Sequence, residues 1–257
     1  MYRKNRLKER LKAGKKVLGY WSNLGNPFVA EILALTGFDF LVFDQEHGFG
    51  DPEKLALQLQ AISATETTSI VRVPWNDAVY LKRVLDAGVE GVMVPSVETA
   101  DEAEDAVASC RYPPIGRRGS AIGSARASNY GLVGDYGESA ADNLLVICQI
   151  ESAKAVENID AIAAVQGIDL LFIGPFDLSG SLGYMGNVSH PKVAAMISEA
   201  ERGIRAGGKA IGTVPHPGKT WRDMFDLGYD MVNAGGDVRC LREAGTAAVN
   251  EFRALFD

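Results

Sequence analysis

Cysteine is scarce in this chain of 257 residues, with Cys110, Cys148 and Cys240 making up the whole supply. Three is an odd number and the spacing is not of zinc-binding type, which excludes a disulfide framework and a cysteine-built metal site and fits a reducing cytoplasm. No apolar run approaches the ~20 residues needed to cross a bilayer, and no apolar stretch follows the basic start as a secretory signal requires. A membrane partner is therefore not expected. Positive charge is in deficit, with 26 Lys and Arg against 33 Asp and Glu and a net charge of −7, so a broad footprint for nucleic acid is excluded. A Pro/Ser-rich linker is missing too. One domain over residues 1–257 is expected, a length that single α/β barrels commonly use.

Basic charge does gather at the N-terminus, in Arg3, Lys4, Arg6, Lys8, Arg10, Lys12, Lys15 and Lys16. Leu7 and Leu11 stand four apart among them, as on a short amphipathic helix, so these charges read as its solvated face rather than as a docking patch.

Along the rest of the chain, short apolar runs alternate with segments of helical period, the pattern of βα units feeding a parallel sheet. Eight strands are predicted, at 16–21, 38–43, 69–74, 91–95, 144–151, 169–173, 209–213 and 230–234. Helical spacing is clearest over 52–65, 77–87, 99–110, 152–165, 191–206 and 239–256. Gly37-Phe38-Asp39, Gly167-Ile168-Asp169 and Gly228-Tyr229-Asp230 introduce three of the strands, and Gly88-Val89-Glu90 is a close variant. Glycine suits the left-handed turn that ends a helix before a strand begins. Eight such units predict a closed (β/α)8 TIM barrel over an open doubly wound sheet, and no G-x-G-x-x-G follows the first strand. The longest irregular stretch, 112–143, is rich in Gly and Ser and carries Arg117, Arg118 and Arg126, so it reads as a lid over an anionic ligand.

A barrel places its chemistry at the C-terminal ends of the strands, and here those ends are polar. Trp21 closes the first strand; Asp44, Glu46 and His47 close the second; Arg72 the third; Gln149 and Glu151 the fifth; Asp177 follows the sixth. Glu151 and Asp177 end adjacent strands, and two carboxylates completed by water and substrate oxygens suit Mg2+ or Mn2+, with Co2+ a further candidate. The alternative is that each caps the helix that follows it. Arg72 stands in an apolar strand, where a guanidinium needs an anion: a developing enolate, or a strand-two carboxylate in a structural ion pair. His47 is the candidate base, because imidazole titrates near neutrality. His216 is a weaker candidate, and His190 before Pro191 reads as a helix-entry residue. An imine route needs a lysine protruding into the mouth, and neither Lys154 nor Lys209 is so placed.

Phe43-Asp44-Gln45-Glu46-His47, Val71-Arg72-Val73-Pro74, Gln149-Ile150-Glu151 and Phe172-Ile173-Gly174-Pro175-Phe176-Asp177-Leu178-Ser179 together resemble the HpcH/HpaI aldolase family, from about Gly19 to the C-terminus. The resemblance implies a class II aldolase that joins a 2-oxo acid such as pyruvate to an aldehyde, both small molecules. It implies Glu151 and Asp177 as metal ligands, Arg72 as enolate stabiliser, Gln149 and the backbone of Gly174, Pro175 and Phe176 as holders of the oxo acid, and His47 as proton carrier. Asp86 would assist His47 from a neighbouring subunit, within a homohexamer built as a trimer of dimers that exchange a C-terminal helix. Trp21 and Asp44 are expected among the substrate contacts, and Thr213-Val214-Pro215-His216-Pro217-Gly218 departs from the family's more apolar pattern on the aldehyde side. The acceptor stays open between a sugar-derived hydroxyaldehyde and succinic semialdehyde. Two alternatives share the scaffold: a Claisen-type citrate synthase or CoA-ester lyase, and a silent barrel that only binds a metal–oxo-acid complex.

Overall fold

A computed structural model describes residues 2–256; the first and last positions of the expected 1–257 domain lie outside the described residues. The strands β1 (Val17–Ser22), β2 (Phe40–Asp44), β3 (Thr68–Arg72), β4 (Gly91–Val94), β5 (Leu145–Ile150), β6 (Leu170–Ile173), β7 (Ala210–Thr213) and β8 (Met231–Gly236) pair in parallel and in sequential order, and β8 closes on β1. This is the expected eight-stranded barrel. The helices are α1 (Arg6–Lys12), α2 (Pro27–Leu35), α3 (Pro52–Ala61), α4 (Ala78–Ala87), α5 (Ala100–Ser109), α6 (Tyr136–Asn143), α7 (Ala153–Glu157), α8 (Ile159–Ala164), α9 (Pro175–Ser181), α10 (Pro191–Ala206), α11 (Trp221–Asp226) and α12 (Asp237–Phe256).

Two cores follow from the alternation of side chains along each strand. One set of positions, including Leu41, Phe43, Val71 and Val92, faces the helices. The other, including Phe40, Val42, Ile70, Met93, Ile147, Phe172 and Met231, fills the barrel, and Leu7 of α1 joins it as a plug. The parity that sends Val42, Ile70, Ile147 and Met231 inward also sends Asp44, Arg72, Gln149 and Asn233 inward, one layer nearer the C-terminal mouth.

Gly37, Gly88, Gly167 and Gly228 have φ of 92°, 93°, 95° and 94°, the left-handed turn expected of them. The acid two residues later has a second duty. Asp39, Glu90, Asp169 and Asp230 accept the backbone N–H of Leu18, Ser69, Val146 and Ile211 at 2.9, 3.0, 2.9 and 3.1 Å, pinning the second residue of each odd-numbered strand.

Three expectations are corrected here. First, the N-terminal basic residues are not simply a solvated face: Arg3, Lys8, Arg10 and Lys16 pair with Glu90, Asp169, Asp39 and Asp230 at 2.8, 3.0, 3.4 and 3.0 Å, the same four acids. Second, stretch 112–143 is not a lid on the barrel's mouth. It contains a short 3-10 turn (Arg126–Ser128) and α6, and it packs beside the N-terminus, where Asn129 and Asn143 accept the N–H of Tyr2 and Asn5. Its arginines are engaged there: Arg126 donates to Ala87 O, Arg118 to Asp86 and Arg117 pairs with Asp105. Third, 152–165 is two helices, divided at Asn158, whose amide donates to Glu98 O at 2.9 Å.

Candidate active site

A cavity of about 660 Å³ opens at the C-terminal mouth, and its walls include Trp21, His47, Arg72, Gln149, Phe172 and Asp177. Gly174, Pro175 and Phe176 line it as well. Strand ends thus bring together most of the residues singled out by sequence.

Arg72 is held from three directions. Its Nε and Nη2 fork onto Asp44 at 2.9 and 2.7 Å, Nη1 lies 3.0 Å from Glu46 Oε2, and the guanidinium sits 4.3 Å from the Trp21 ring centre. Asp44 is buried and fully occupied: it also accepts from Asn23 Nδ2 at 2.7 Å and from the backbone N–H of Glu46 and His47. Asp44, expected among the substrate contacts, is not on the cavity wall, and its oxygens are turned to Arg72, Asn23 and the backbone. Of the two partners posed for Arg72, the strand-two carboxylate is present, and the guanidinium also lines the cavity.

Glu151 lies behind Gln149 and is nearly buried. Its Oε1 accepts from Ser96 N at 2.7 Å and its Oε2 from Gln149 Nε2 at 2.8 Å. Burial raises the Glu151 carboxyl above its ordinary range; the Ser96 N–H opposes this, and the nearby charges of Glu46 and Asp177 add to it. Glu46 is raised too, first by burial, against the pull of Arg72. Neither Glu151 nor Asp177 caps a helix, because Ser152 caps α7 and Gly174 occupies that position for α9. These are carboxylates crowded together with too little positive charge. The donor set fits a hard divalent cation, which the oxygens would share with water and substrate, since among the described residues no cage of three or more His, Cys, Asp or Glu is gathered. Gly174 makes the crowding possible: a Cβ there would lie 2.9 Å from Glu151 Oε2.

His47 projects into the mouth with its side chain 68% exposed, its Nε2 3.8 Å from Glu46 Oε1. Asp86 stands elsewhere. It is near the C-terminal end of α4, two residues before the turn at Gly88, so it lies at the opposite face of the barrel, 2.7 Å from Arg118. His216 is outside the cavity wall and packs against Tyr229, and His190 caps α10 by accepting from Lys192 N. Lys154 pairs with Glu98, and Lys209 donates to Val165 O and Ile168 O at the far end of β7.

Sequence reasoning passed over Ser96, Asn23 and Asn233. Only Asn233 carried a signal: an amide at an inward position of a core strand, the same signal that drew attention to Arg72. Val214 and Pro215, with the start of α12 at Val238, Arg239 and Arg242, close the remaining side of the cavity.

The sequence profile of the HpcH/HpaI aldolase/citrate lyase family matches residues 17–244. The chain is 41% identical over 251 residues to 4-hydroxy-2-oxo-heptane-1,7-dioate aldolase of Salmonella dublin, covering 98% of this chain and 95% of that one. It is 41% identical over 249 residues to 5-keto-4-deoxy-D-glucarate aldolase of Shigella boydii serotype 18, covering 97% and 96%. Among solved structures, an HpcH/HpaI aldolase/citrate lyase family protein from Burkholderia cenocepacia J2315 superposes with a TM-score of 0.92 at 37% identity, covering 97% of this chain and 99% of that one.

Proposed function

We propose that this chain, which belongs to the HpcH/HpaI aldolase/citrate lyase family, is a carbon–carbon lyase that reversibly joins pyruvate, or a similar 2-oxo acid, to an aldehyde. The name of the Salmonella relative describes cleavage of a 4-hydroxy-2-oxo acid, the product expected of such a union. The observation that carries the reading is one cavity whose wall holds a clamped cation, Arg72, together with Asp177 and an imidazole, His47, with Glu151 tied directly behind the wall residue Gln149. We take residues 1–257 to act as one barrel domain.

When bound by Glu151 and Asp177, a divalent cation, Mg2+ or Mn2+, supplies a Lewis acid for the carboxylate and 2-oxo oxygens of pyruvate. The chain's own groups do the rest. Arg72 offers positive charge to the 2-oxygen as the methyl group loses its proton, and Asp44 keeps it aimed there without reorganisation. Gln149, tied to Glu151, orients the oxo acid. Of the backbone N–H groups at 174–176, Gly174 already donates to Ile150 O at 3.0 Å and Pro175 has none, so Phe176 is the one left for the substrate carboxylate. His47 carries both protons: in condensation it accepts the methyl proton as the enolate forms and gives a proton to the new 4-oxygen, and in cleavage it takes the 4-hydroxyl proton and returns one to the enolate methylene. The electron pair of the C3–C4 bond passes into the enolate, and the aldehyde leaves.

Asp86 cannot reach the mouth of its own barrel, so its part in moving protons at His47 requires a neighbouring subunit. We infer a homo-oligomer, a hexamer arranged as a trimer of dimers, with soluble small-molecule substrates and a cytoplasmic setting. No helix of the described residues is long and apolar enough to cross a membrane.

The test is exchange of pyruvate methyl protons in D2O, followed by NMR, with Mg2+ or Mn2+ and after EDTA. Metal-dependent exchange that is lost in His47→Ala and Arg72→Ala is expected. Absence of exchange under every metal would sink the reading.

A further inference from the structure

β8 stands across the barrel ring from β4 and β5, away from Glu151. In it Asn233 has no solvent exposure and lines the cavity, yet neither its Nδ2 nor its Oδ1 has a hydrogen-bond partner. An amide buried with both groups unpaired is costly and uncommon in a folded protein. No polar group of the chain lies within hydrogen-bond distance of either atom, and the layer below Asn233 holds Met231 and Phe40, so a partner has to come from what enters the cavity. The pyruvate half of the site is already supplied with Arg72, Gln149 and the carboxylates, so a polar pair on this side faces whatever joins pyruvate.

We propose that Asn233 is a specificity-determining residue that reads the acceptor, and that the acceptor is a 2-hydroxyaldehyde. The chemistry is complementary: Nδ2–H donates to the aldehyde oxygen while the adjacent hydroxyl donates to Oδ1, so both halves of the amide are satisfied at once. An aldehyde with only methylene groups beside the carbonyl leaves Oδ1 unpaired. A site built to hydrogen-bond a substrate hydroxyl discriminates against the analogue lacking it far more strongly than an apolar pocket does. The inference rests on the aldolase reading above and deepens it by naming the acceptor class.

Condensation of pyruvate with glycolaldehyde and with acetaldehyde, which differ only in the 2-hydroxyl, tests it. The readout is the ratio of the two kcat/KM values in the wild type, Asn233→Ala and Asn233→Leu. The leucine variant keeps the volume of the side chain and serves if the alanine variant does not fold. The wild type should favour glycolaldehyde, and the ratio should fall by about tenfold or more in the variants. A purely structural role would lower both rates together and leave the ratio unchanged, which overturns the inference. Proton exchange on pyruvate by the wild type separates the two levels. A wild type that exchanges but treats both aldehydes alike removes the assignment of Asn233 and leaves the aldolase reading standing. A wild type that neither exchanges nor condenses removes both.

Discussion

Arg72 shows how a single charge is made useful. A guanidinium inside a barrel is poorly solvated, and it acts on substrate only if its direction is fixed before substrate arrives. The two-point fork to Asp44, the charge of Glu46 and the face of Trp21 fix it. Asp44→Ala should therefore lower kcat by about 10²–10³, the range found when one preorganised charge-stabilising group is lost, with a smaller change in KM for pyruvate. Steady-state cleavage kinetics measure both. A different residue-scale consequence concerns stability. Burial lowers the His216 imidazole below its ordinary value of 6.5, and Lys219 adds to the effect. The unfolded chain then binds a proton more readily than the folded one, so this contribution is complete above about pH 6.5 and drains away as the pH falls below it. His216→Phe keeps a ring against Tyr229 and removes the titration. In urea denaturation the wild type should lose stability more steeply than the variant between pH 6.5 and pH 5.

The elements of the barrel were legible where local chemistry and tertiary need coincide. The apolar strands and the Gly-φ-acid turns could be read directly, because a left-handed glycine and a short apolar run mean the same thing in the sequence and in the fold. What the acids in those turns do was not legible. Asp39, Glu90, Asp169 and Asp230 lie far in sequence from Arg10, Arg3, Lys8 and Lys16, and only closure of the ring brings them together. The 112–143 stretch misled for a related reason: α6 shows no long apolar period, and its one cue, Tyr136 and Ala140 a turn apart, gains meaning only against Tyr2 and Tyr112. In the site, strand-end residues could be found by position, whereas the proposed division of labour between Arg72 at the cavity wall and Asp44 as its holder depends on distances. The clamp has a measurable weight. Asp169 accepts both Val146 N–H and Lys8 Nζ, at 2.9 and 3.1 Å, and Lys8 is nearly buried. Asp169→Ala leaves Lys8 with only the Leu144 carbonyl and no counter-charge, and the Val146 N–H without its acceptor, and should cost about 3 kcal/mol in chemical denaturation. Lys4→Ala, at an exposed pair, should cost less than about 0.5 kcal/mol.

At the scale of the whole molecule, two features bear on the proposed oligomer. Phe28, Ile32 and Leu35 on α2 and Leu241, Phe252 and Leu255 on α12 are exposed apolar side chains on helix surfaces, and rows of this kind mark surfaces that another chain covers. Independently, Asp86 sits at the N-terminal face while His47 sits at the mouth, so within one barrel they cannot work on the same proton. If a neighbour supplies Asp86, each site is shared between two chains, and damage to either half can be repaired by mixing. His47→Ala and Asp86→Ala homo-oligomers should each be nearly inactive in aldol cleavage. Co-refolded in equal amounts, they form some sites with an intact histidine from one subunit and an intact aspartate from the next. Random assortment leaves about one site in four whole, so activity should return to about a quarter of the wild-type value. Sedimentation velocity on the same samples confirms that the mixed particles match the wild type in size. Full assembly without any recovery of activity would show that Asp86 does not act across the interface, and its pairing with Arg118 would then be its whole role.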